Sequence, residues 1–229
     1  MQQFFVEGVI NNNEYFPLNS DIKHQLKKVL RAENGYQFRL ADEEGSLYLC
    51  ELMDGDAHII NKLDENNELD VDITVVLSLI KNDKFDFAIQ KLTEIGVKRI
   101  VPYKARRSVV KEGKGTNKLD RFKKIVREAS EQCHRNIVPE ICDYADIKTL
   151  KNYLSDVNIL AYEKETFKKE GFSNLKSVTI IIGPEGGFET GEVEEFVKMG
   201  FESVSLGKRI LRAETAAIFL SSLIVGANQ

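Results

Sequence analysis

The chain has no tryptophan, and its 229 residues include only three cysteines, four prolines, three methionines and three histidines. Cys50, Cys133 and Cys142 lie far apart and leave one thiol unpaired under any disulfide scheme, which predicts a reducing compartment. No apolar run approaches the length of a membrane span, and the first residues, MQQFFVEGVI, lack the basic region of a signal peptide. We therefore expect a cytoplasmic protein without a membrane partner.

The scarcity of histidine and cysteine also bears on metal and hydrolase chemistry. The spacing of Cys133-His134 and Cys142 does not fit a zinc knuckle, no second C-x-x-C motif occurs, and His24 and His58 lie far away in the sequence. A core cysteine beside a surface histidine is the favoured interpretation, and we expect no metal site. Three scattered histidines argue against a Ser-His-Asp hydrolase.

What the chain does contain is typical of a globular protein, with 30% charged and 42% hydrophobic residues and a net charge of −4. The charge is uneven. Residues 1–70 hold 14 acidic and 6 basic residues, whereas residues 81–135 hold 16 basic and 7 acidic ones. A basic field of this size fits either a polyanionic partner or a solvated, lysine-rich helical face, and charge alone does not separate the two.

The pattern of residues 1–70 predicts a small β-rich domain. Its candidate strands are Gln3–Val9, Tyr36–Leu40, Leu47–Leu52 and Ala57–Leu63. One helix interrupts them, with Ser20 as its cap and with Ile22, Leu26, Val29 and Leu30 on one face. Short strands at this spacing are typical of a small barrel. The polar, acidic segment Leu63–Asp72 is the predicted linker.

From residue 71 to residue 229 strands and helices alternate, which predicts an α/β domain with a parallel sheet. The candidate strands are Ile73–Ile80, Arg99–Tyr103, Ile137–Cys142, Val157–Tyr162, Val178–Ile182 and Ser203–Leu206. The predicted helices include one that ends at Gly96, one capped by Thr116, a short one around Ile147–Leu154, one between Thr190 and Gly200, and a last one that carries Ala213–Ile224.

Two of these strands end in tight, glycine-containing turns. The first turn is Gly183–Gly187, with the sequence GPEGG, and the second begins at Gly207-Lys208-Arg209. Because parallel sheets bind ligands at the carboxyl ends of their strands, the two turns predict one ligand site. Neither turn matches a phosphate loop or a dinucleotide fingerprint, and the anionic Glu185 would repel a phosphate.

The pair of turns also carries a family resemblance. GPEGG at 183–187 followed by LGKRILRAETA at 206–216 resembles the cofactor-binding signature of the SPOUT methyltransferases. Further stretches resemble one branch, the ribosomal RNA small-subunit methyltransferase E family. They are VLR at 29–31, KNDKFDFAIQKLTEIGV at 81–97, RSVV at 107–110 and REASEQCHRNIVPEI at 127–141.

The resemblance implies an architecture, a cofactor and a substrate. Residues 1–70 would be a PUA-like, RNA-binding β-barrel, and residues 71–229 a SPOUT domain with a C-terminal trefoil knot that forms a homodimer. The cofactor would be S-adenosyl-L-methionine and the substrate N3 of one uridine in 16S rRNA of the 30S ribosomal subunit. The implied cofactor-binding residues are Leu160, Gly183, Pro184, Glu185, Gly186, Gly187, Leu206, Gly207, Ile210, Leu211, Thr215 and Ala216.

The same resemblance assigns roles to charged residues. Arg209 and Arg212 would orient the uracil or its N3 anion, because a nearby cation favours the deprotonated form of an acid. Glu214 would order these arginines or accept the proton, with a structural role as the alternative. The candidate RNA-binding residues are Arg31, Arg106, Arg107 and Arg135. For the last two a structural ion pair is an equally good interpretation.

Three positions depart from the family pattern. Gln3 stands where the family usually has arginine, Arg106 where it often has an acidic residue, and Cys133-His134 where a small pair is usual. The first departure leaves any RNA contact of that arginine missing or moved to Arg31 or Arg39.

Three other functions stay open on the sequence alone. The first is a SPOUT methyltransferase with another RNA target, such as a ribose hydroxyl. The second is a non-catalytic RNA-binding or ribosome-assembly factor, which failure to bind the cofactor would favour. The third is an unrelated nucleotide-binding α/β protein, which a preference for ATP or NAD would support.

Overall fold

The computed structural model describes residues 1–11, 15–108, 117–162 and 172–229, which form two compact units. The first unit contains Met1–Glu68 and Ser130–Val138, and the second contains Leu69–Ala129 and Pro139–Gln229. The predicted boundary at residue 70 lies two residues beyond the main division. The return of Ser130–Val138 to the first unit was not predicted.

A five-stranded sheet dominates the first unit, in the order β1-β3-β4-β5-β2. The strands are β1 Gln3–Phe5, β2 Tyr15–Phe16, β3 Gln37–Ala41, β4 Leu47–Met53 and β5 Asp56–Leu63. Strand β1 pairs with β3 in parallel, and the other pairs are antiparallel. The predicted strand Gln3–Val9 shortens to β1, and β2 was not predicted. Closure of the sheet into a PUA-like barrel stays a prediction.

The helix of the first unit differs from its prediction at both ends. Helix α1 spans Ser20–His24, and its cap is Asn19, whose Oδ1 accepts the Ile22 N–H at 2.9 Å. A π-helical turn, Gln25–Val29, continues it. Its hydrogen bonds span five residues rather than four, so the 3.6-residue period fails there. Val29 and Leu30 are therefore 67% and 38% exposed, against the prediction that they face the core.

A six-stranded sheet dominates the second unit, in the order β11-β9-β10-β6-β7-β8. The strands are β6 Asp72–Ser78, β7 Arg99–Tyr103, β8 Glu140–Ile141, β9 Val157–Ala161, β10 Ser177–Ile182 and β11 Glu202–Val204. Every neighbouring pair is parallel. The predicted α/β class with a parallel sheet is confirmed, and the trefoil knot stays a prediction.

The helices of the second unit are α2 Asn82–Ile95, α3 Asn117–Gln132, whose last three residues belong to the first unit, α4 Thr190–Lys198 and α5 Ala213–Asn228, with a 3₁₀ turn at Leu150–Tyr153. Helix α2 ends at Gly96, which has a φ of +102° as a left-handed helix terminus requires. The predicted cap Thr116 lies outside the described residues. Helix α4 is capped by Glu189 rather than by the predicted Thr190. No helix in the described ranges is both long and apolar enough to cross a membrane.

An aromatic cluster in the second unit fixes the position of the turn after β10. Phe188, 6% exposed, packs edge-on against Phe196 of α4, with ring centroids 5.0 Å apart. Tyr103, at the end of β7, lies 6.4 Å from Phe188 and 6.0 Å from Phe196. The chain that leaves β10 is therefore tied to the core within six residues of the strand end.

Candidate active site

Three neighbouring strands end side by side at one edge of the parallel sheet. Val204 of β11 pairs with Ala161 of β9, and Ala161 pairs with Ile182 of β10. These are the last residues of their strands. The chain segments that follow must therefore meet, which is the usual location of a ligand site in an open α/β sheet.

The three segments enclose a cavity of about 410 Å³. Ala161 and Tyr162 line it after β9, Ile182–Phe188 after β10, and Ser205–Ala213 after β11, together with Ala216 of α5. A volume of this size falls within the ~300–1,000 Å³ that small-molecule sites occupy. All of these residues belong to the second unit.

Most of the predicted cofactor-binding residues lie on this lining. They are Gly183, Pro184, Glu185, Gly186, Gly187, Leu206, Gly207, Ile210, Leu211 and Ala216. Leu160 does not, because successive strand residues point to opposite faces and its side chain is fully buried in the core. Thr215 is also outside the lining and is exposed on α5.

The sequence analysis missed seven lining residues: Ala161, Tyr162, Ile182, Phe188, Ser205, Lys208 and Ala213. Each one directly adjoins a predicted residue or a predicted strand end. Reading one position further along each strand and turn would therefore have found them.

The first wall of the cavity, residues 183–188, is a tight turn. The Gly187 N–H donates to the Pro184 carbonyl at 2.9 Å, and Gly187 has a φ of +66°. A Cβ atom at Gly183 would lie 3.1 Å from the Phe188 ring. Glycine is thus favoured at 183 by the close approach of the Phe188 ring and at 187 by the left-handed backbone conformation.

The second wall, residues 205–212, is held more loosely. The Ser205 hydroxyl donates to the Gly207 carbonyl at 3.3 Å and accepts its N–H at 3.4 Å, and Gly207 has a φ of +117°. Beyond this turn Ile210 is 86% exposed. Arg209 and Arg212, the predicted catalytic arginines, lie on the lining and are exposed.

Glu214, the third predicted catalytic residue, is placed differently. It is 9% exposed, lies outside the lining, and has one carboxylate oxygen 3.9 Å from Lys84 Nζ of α2. Its Oε2 has no hydrogen-bond partner among the described residues. This placement favours the structural alternative for Glu214.

The four predicted RNA-binding arginines have different surroundings. Arg31 is exposed and has a φ of +53°. Arg106 and Arg107 are exposed and lie against α4 and the first wall. Arg135 is only 4% exposed, and its Nε donates to Glu68 Oε1 at 3.2 Å. For Arg135 the structure favours the ion-pair alternative.

Position 3, where the family usually has arginine, is buried in this protein. Gln3 has no exposed surface, and its Nε2 donates to the Arg135 carbonyl at 2.7 Å. Arg39 forms a two-armed pair with Glu65, at 2.8 and 3.1 Å. The exposed cation that remains from the predicted set in this unit is Arg31.

The cysteines and acidic residues form no metal site in the part of the chain that the structure describes. No disulfide joins the three cysteines, all of which are described. Burial raises the pKa of Cys50 and of Cys142 to about 12, so both thiols are protonated at neutral pH. A protonated thiol is a poor nucleophile and a poor metal ligand.

Comparison with known proteins agrees with this geometry. The model of a family described as "RNA methyltransferase domain" matches residues 67–225. The chain is 33% identical to ribosomal RNA small subunit methyltransferase E of Bacillus subtilis (strain 168), over 98% of this chain and 96% of that protein. It is 35% identical to the protein of the same name from Mesomycoplasma hyopneumoniae, over 96% and 97%. The chain belongs to the ribosomal RNA small subunit methyltransferase E family.

A solved structure in this methyltransferase E family has the same fold. The Neisseria gonorrhoeae protein of that name, crystallised with S-adenosyl methionine, is 27% identical and has a TM-score of 0.88 over 97% of this chain and 95% of its own. The family resemblance predicted from the two turns and the four stretches is confirmed.

Proposed function

We propose that the protein transfers a methyl group from S-adenosylmethionine to N3 of a uridine in 16S rRNA of the 30S ribosomal subunit. The observation that carries the proposal is the cavity built from the two glycine turns, in a chain whose relatives are named ribosomal RNA small subunit methyltransferase E. The Neisseria relative binds S-adenosylmethionine, and we assign the same cofactor to this cavity.

The lining offers surfaces that suit the different parts of that cofactor. The turns at Gly183–Gly187 and Gly207 present main chain rather than side chains, and Ile182, Leu211 and Ala216 add apolar surface suited to an adenine ring. Glu185 is the acidic residue of the described lining and is exposed. Its charge can pair with the sulfonium or the ammonium group of the cofactor. The cations Lys208, Arg209 and Arg212 of the same lining suit the cofactor's carboxylate and an anionic substrate.

When bound, S-adenosylmethionine supplies a methyl group on a positively charged sulfur. Uridine N3 carries a weakly acidic proton that must be lost before N3 bonds to the methyl carbon. The protein must therefore favour the deprotonated base and align N3 with the methyl carbon and the sulfur. Arg209 and Arg212 stand at the cavity with exposed guanidinium groups, and a cation there stabilises the negative charge that develops on the uracil. Glu214, paired with Lys84, fixes the start of α5 next to Arg212.

We extend the proposal to the architecture of the family. The five-stranded sheet of the first unit would be the PUA-like RNA-binding barrel, with Arg31 among its exposed cations. The segment from β10 to α5 would form the trefoil knot. Phe87 of α2 and Phe219 of α5 are exposed apolar side chains, 48% and 38% exposed, on two helices that pack together. They support a homodimer through these helices. The cytoplasm is the proposed location.

Two measurements test the proposal. Calorimetric titration of S-adenosylmethionine into the protein should give a micromolar dissociation constant, about −8 kcal/mol. Gly186→Trp should abolish this binding by filling the cavity. Arg209→Ala should keep binding but lose methyl transfer from labelled cofactor to 30S subunits, with 3-methyluridine as the expected product after nuclease digestion. Lys98→Ala, which removes an exposed lysine paired with Asp72, is the control.

The outcomes separate the alternatives. Cofactor binding with a methylated product other than 3-methyluridine would keep the methyltransferase and replace its target. Failure of the folded protein to bind, with or without 30S subunits, would contradict the proposal and favour a non-catalytic RNA-binding factor.

A further inference from the structure

The loop that follows β7 is bonded to the start of helix α4 through one buried carboxylate. Glu192 is 1% exposed, and its Oε1 accepts the backbone N–H of Arg106 at 3.0 Å. Its Oε2 accepts the backbone N–H of Glu189 at 3.1 Å. Both oxygens are thus occupied by main-chain donors from two segments, one on each side of the first wall.

The side chains of two arginines in that loop contact the start of α4 and the first wall from the solvent side. Arg106 places Nη2 3.2 Å from Glu195 Oε1 and Nη1 3.5 Å from Glu189 Oε2. Arg107 places Nε 3.8 Å from Glu189 Oε1 and points Nη1 at the Gly186 carbonyl, 3.5 Å away. We call Arg106, Arg107, Glu189, Glu192 and Glu195 the arginine brace.

Arg107 touches the first wall directly. A Cβ atom at Gly186 would lie 3.4 Å from Arg107 Cβ and 3.5 Å from its carbonyl oxygen, so the loop after β7 lies at van der Waals distance from the glycine turn. Any shift of Arg107 changes the room available to the turn. Because exposed ion pairs contribute little to folding free energy, loss of the contact should change the stability of the protein little.

The arginine brace also gives the positive charge of this loop partners within the protein. The two guanidinium groups lie within 4 Å of the carboxylates of Glu189 and Glu195, and an RNA phosphate would have to compete with those carboxylates for them. Arg106 therefore fits its place in the brace better than a place in an RNA footprint.

We propose that Arg106 and Arg107 are positioning residues for the cofactor rather than phosphate contacts, and that they hold the first wall in its ligand-binding shape through the arginine brace. The inference rests on the proposed function, because it takes the first wall to bind S-adenosylmethionine. It differs from that function in naming residues outside the cavity that set cofactor affinity.

The sign of the effect distinguishes positioning from simple electrostatics. S-adenosylmethionine carries net positive charge, so removing a nearby arginine would tighten its binding if Coulomb forces alone mattered. Loss of the brace predicts the opposite. We expect Arg107→Ala to weaken binding by about five- to tenfold, with a higher KM for the cofactor and an unchanged kcat at saturating cofactor. Arg107→Lys keeps the positive charge but loses the planar guanidinium group, so its affinity for the cofactor should lie between those of wild type and Arg107→Ala.

The test uses calorimetric titration of S-adenosylmethionine into the full chain, with Lys98→Ala as the charge-matched control at the other end of β7. Glu189→Gln should also weaken binding, and the double variant should lose less affinity than the sum of the two single losses, because both changes break the Arg107–Glu189 pair. Binding of a 16S rRNA fragment should keep its salt dependence in Arg106→Ala/Arg107→Ala, since no phosphate contact is lost.

Three results would overturn the inference in distinguishable ways. If wild type binds the cofactor and Arg107→Ala binds it equally well or more tightly, the brace does not position the wall. If the double arginine variant flattens the salt dependence of RNA binding, these residues are phosphate contacts. If wild type itself binds no cofactor, the proposed function fails first and the inference falls with it.

Discussion

The two walls of the cavity differ in how firmly the rest of the protein holds them. The first wall, residues 183–188, has the Gly187–Pro184 hydrogen bond inside it, Phe188 in the aromatic cluster beneath it and Arg107 against its outer side. The second wall, residues 205–212, has one weak turn at Ser205–Gly207 and then a series of exposed side chains. Among the described residues, no ion pair engages its Arg209 or Arg212.

This difference suggests a division of labour between the walls. A wall that is fixed before the ligand arrives contributes affinity, because little conformational freedom is lost on binding. A wall with exposed cations and an exposed apolar side chain offers contacts to a second, larger molecule. In the proposed reaction both walls would contact the cofactor, and the exposed side chains of the second wall would also meet the RNA.

The largest effect on stability should come from removing the ring of Phe188, which fixes the first wall to the core. Phe188→Ala removes a 6%-exposed ring from between Tyr103 and Phe196 and should lower the free energy of unfolding by about 3–5 kcal/mol. Urea denaturation followed by circular dichroism measures it. Val197→Ala on α4, a 53%-exposed position, is the control and should change little. A Phe188→Ala protein as stable as wild type would show that the first wall is not anchored by this ring.

A smaller effect should follow from the backbone of the same wall. Gly187 has a φ of +66°, so Gly187→Ala should cost about 1–2 kcal/mol of stability. Its matched control is Gly226→Ala inside α5, where no atom lies within 4 Å of a new Cβ and alanine should stabilise the helix by up to about 1 kcal/mol. Opposite signs in thermal denaturation are expected. Destabilisation by both changes would point to a general sensitivity to a methyl group.

The smallest effect on stability should come from the second wall. Ile210 is 86% exposed, so Ile210→Ala should change the free energy of unfolding by no more than about 0.5 kcal/mol. If the second wall serves the RNA, the same variant should lose methyl transfer to 30S subunits while it keeps its affinity for S-adenosylmethionine. Loss of cofactor affinity equal to that of a first-wall variant would remove the distinction between the walls.

The parts of the fold that depend on local pattern could be predicted. Strand β7 spans Arg99–Tyr103, as its apolar run indicated, and helix α2 ends at Gly96, as its glycine indicated. The two glycine turns also brought ten of the twelve predicted cofactor residues to the cavity. Each of these features depends on residues that are neighbours in the sequence, where periodicity and turn chemistry are informative.

The parts that depend on distant partners could not be predicted. Arg135 binds Glu68, 67 positions earlier, and nothing in the local pattern around Arg135 distinguishes this buried pair from a surface cation. The π-helical turn at Gln25–Val29 breaks the period on which the inward placement of Val29 rested. Ala161 lines the cavity in place of the predicted Leu160, because the strand alternation fixes which neighbour faces the cavity, and the sequence does not show which face that is.

The first unit is built from two chain segments, Met1–Glu68 and Ser130–Val138, so it cannot be completed until the second has been translated. The 61 residues from Leu69 to Ala129 are translated between its two segments, which takes roughly 3–12 s at cellular elongation rates. Until Ser130–Val138 emerge, Glu68 lacks the guanidinium of Arg135 and Gln3 lacks its carbonyl. The N-terminal unit, although the first to be started, is completed only after the whole of helix α3 has been translated.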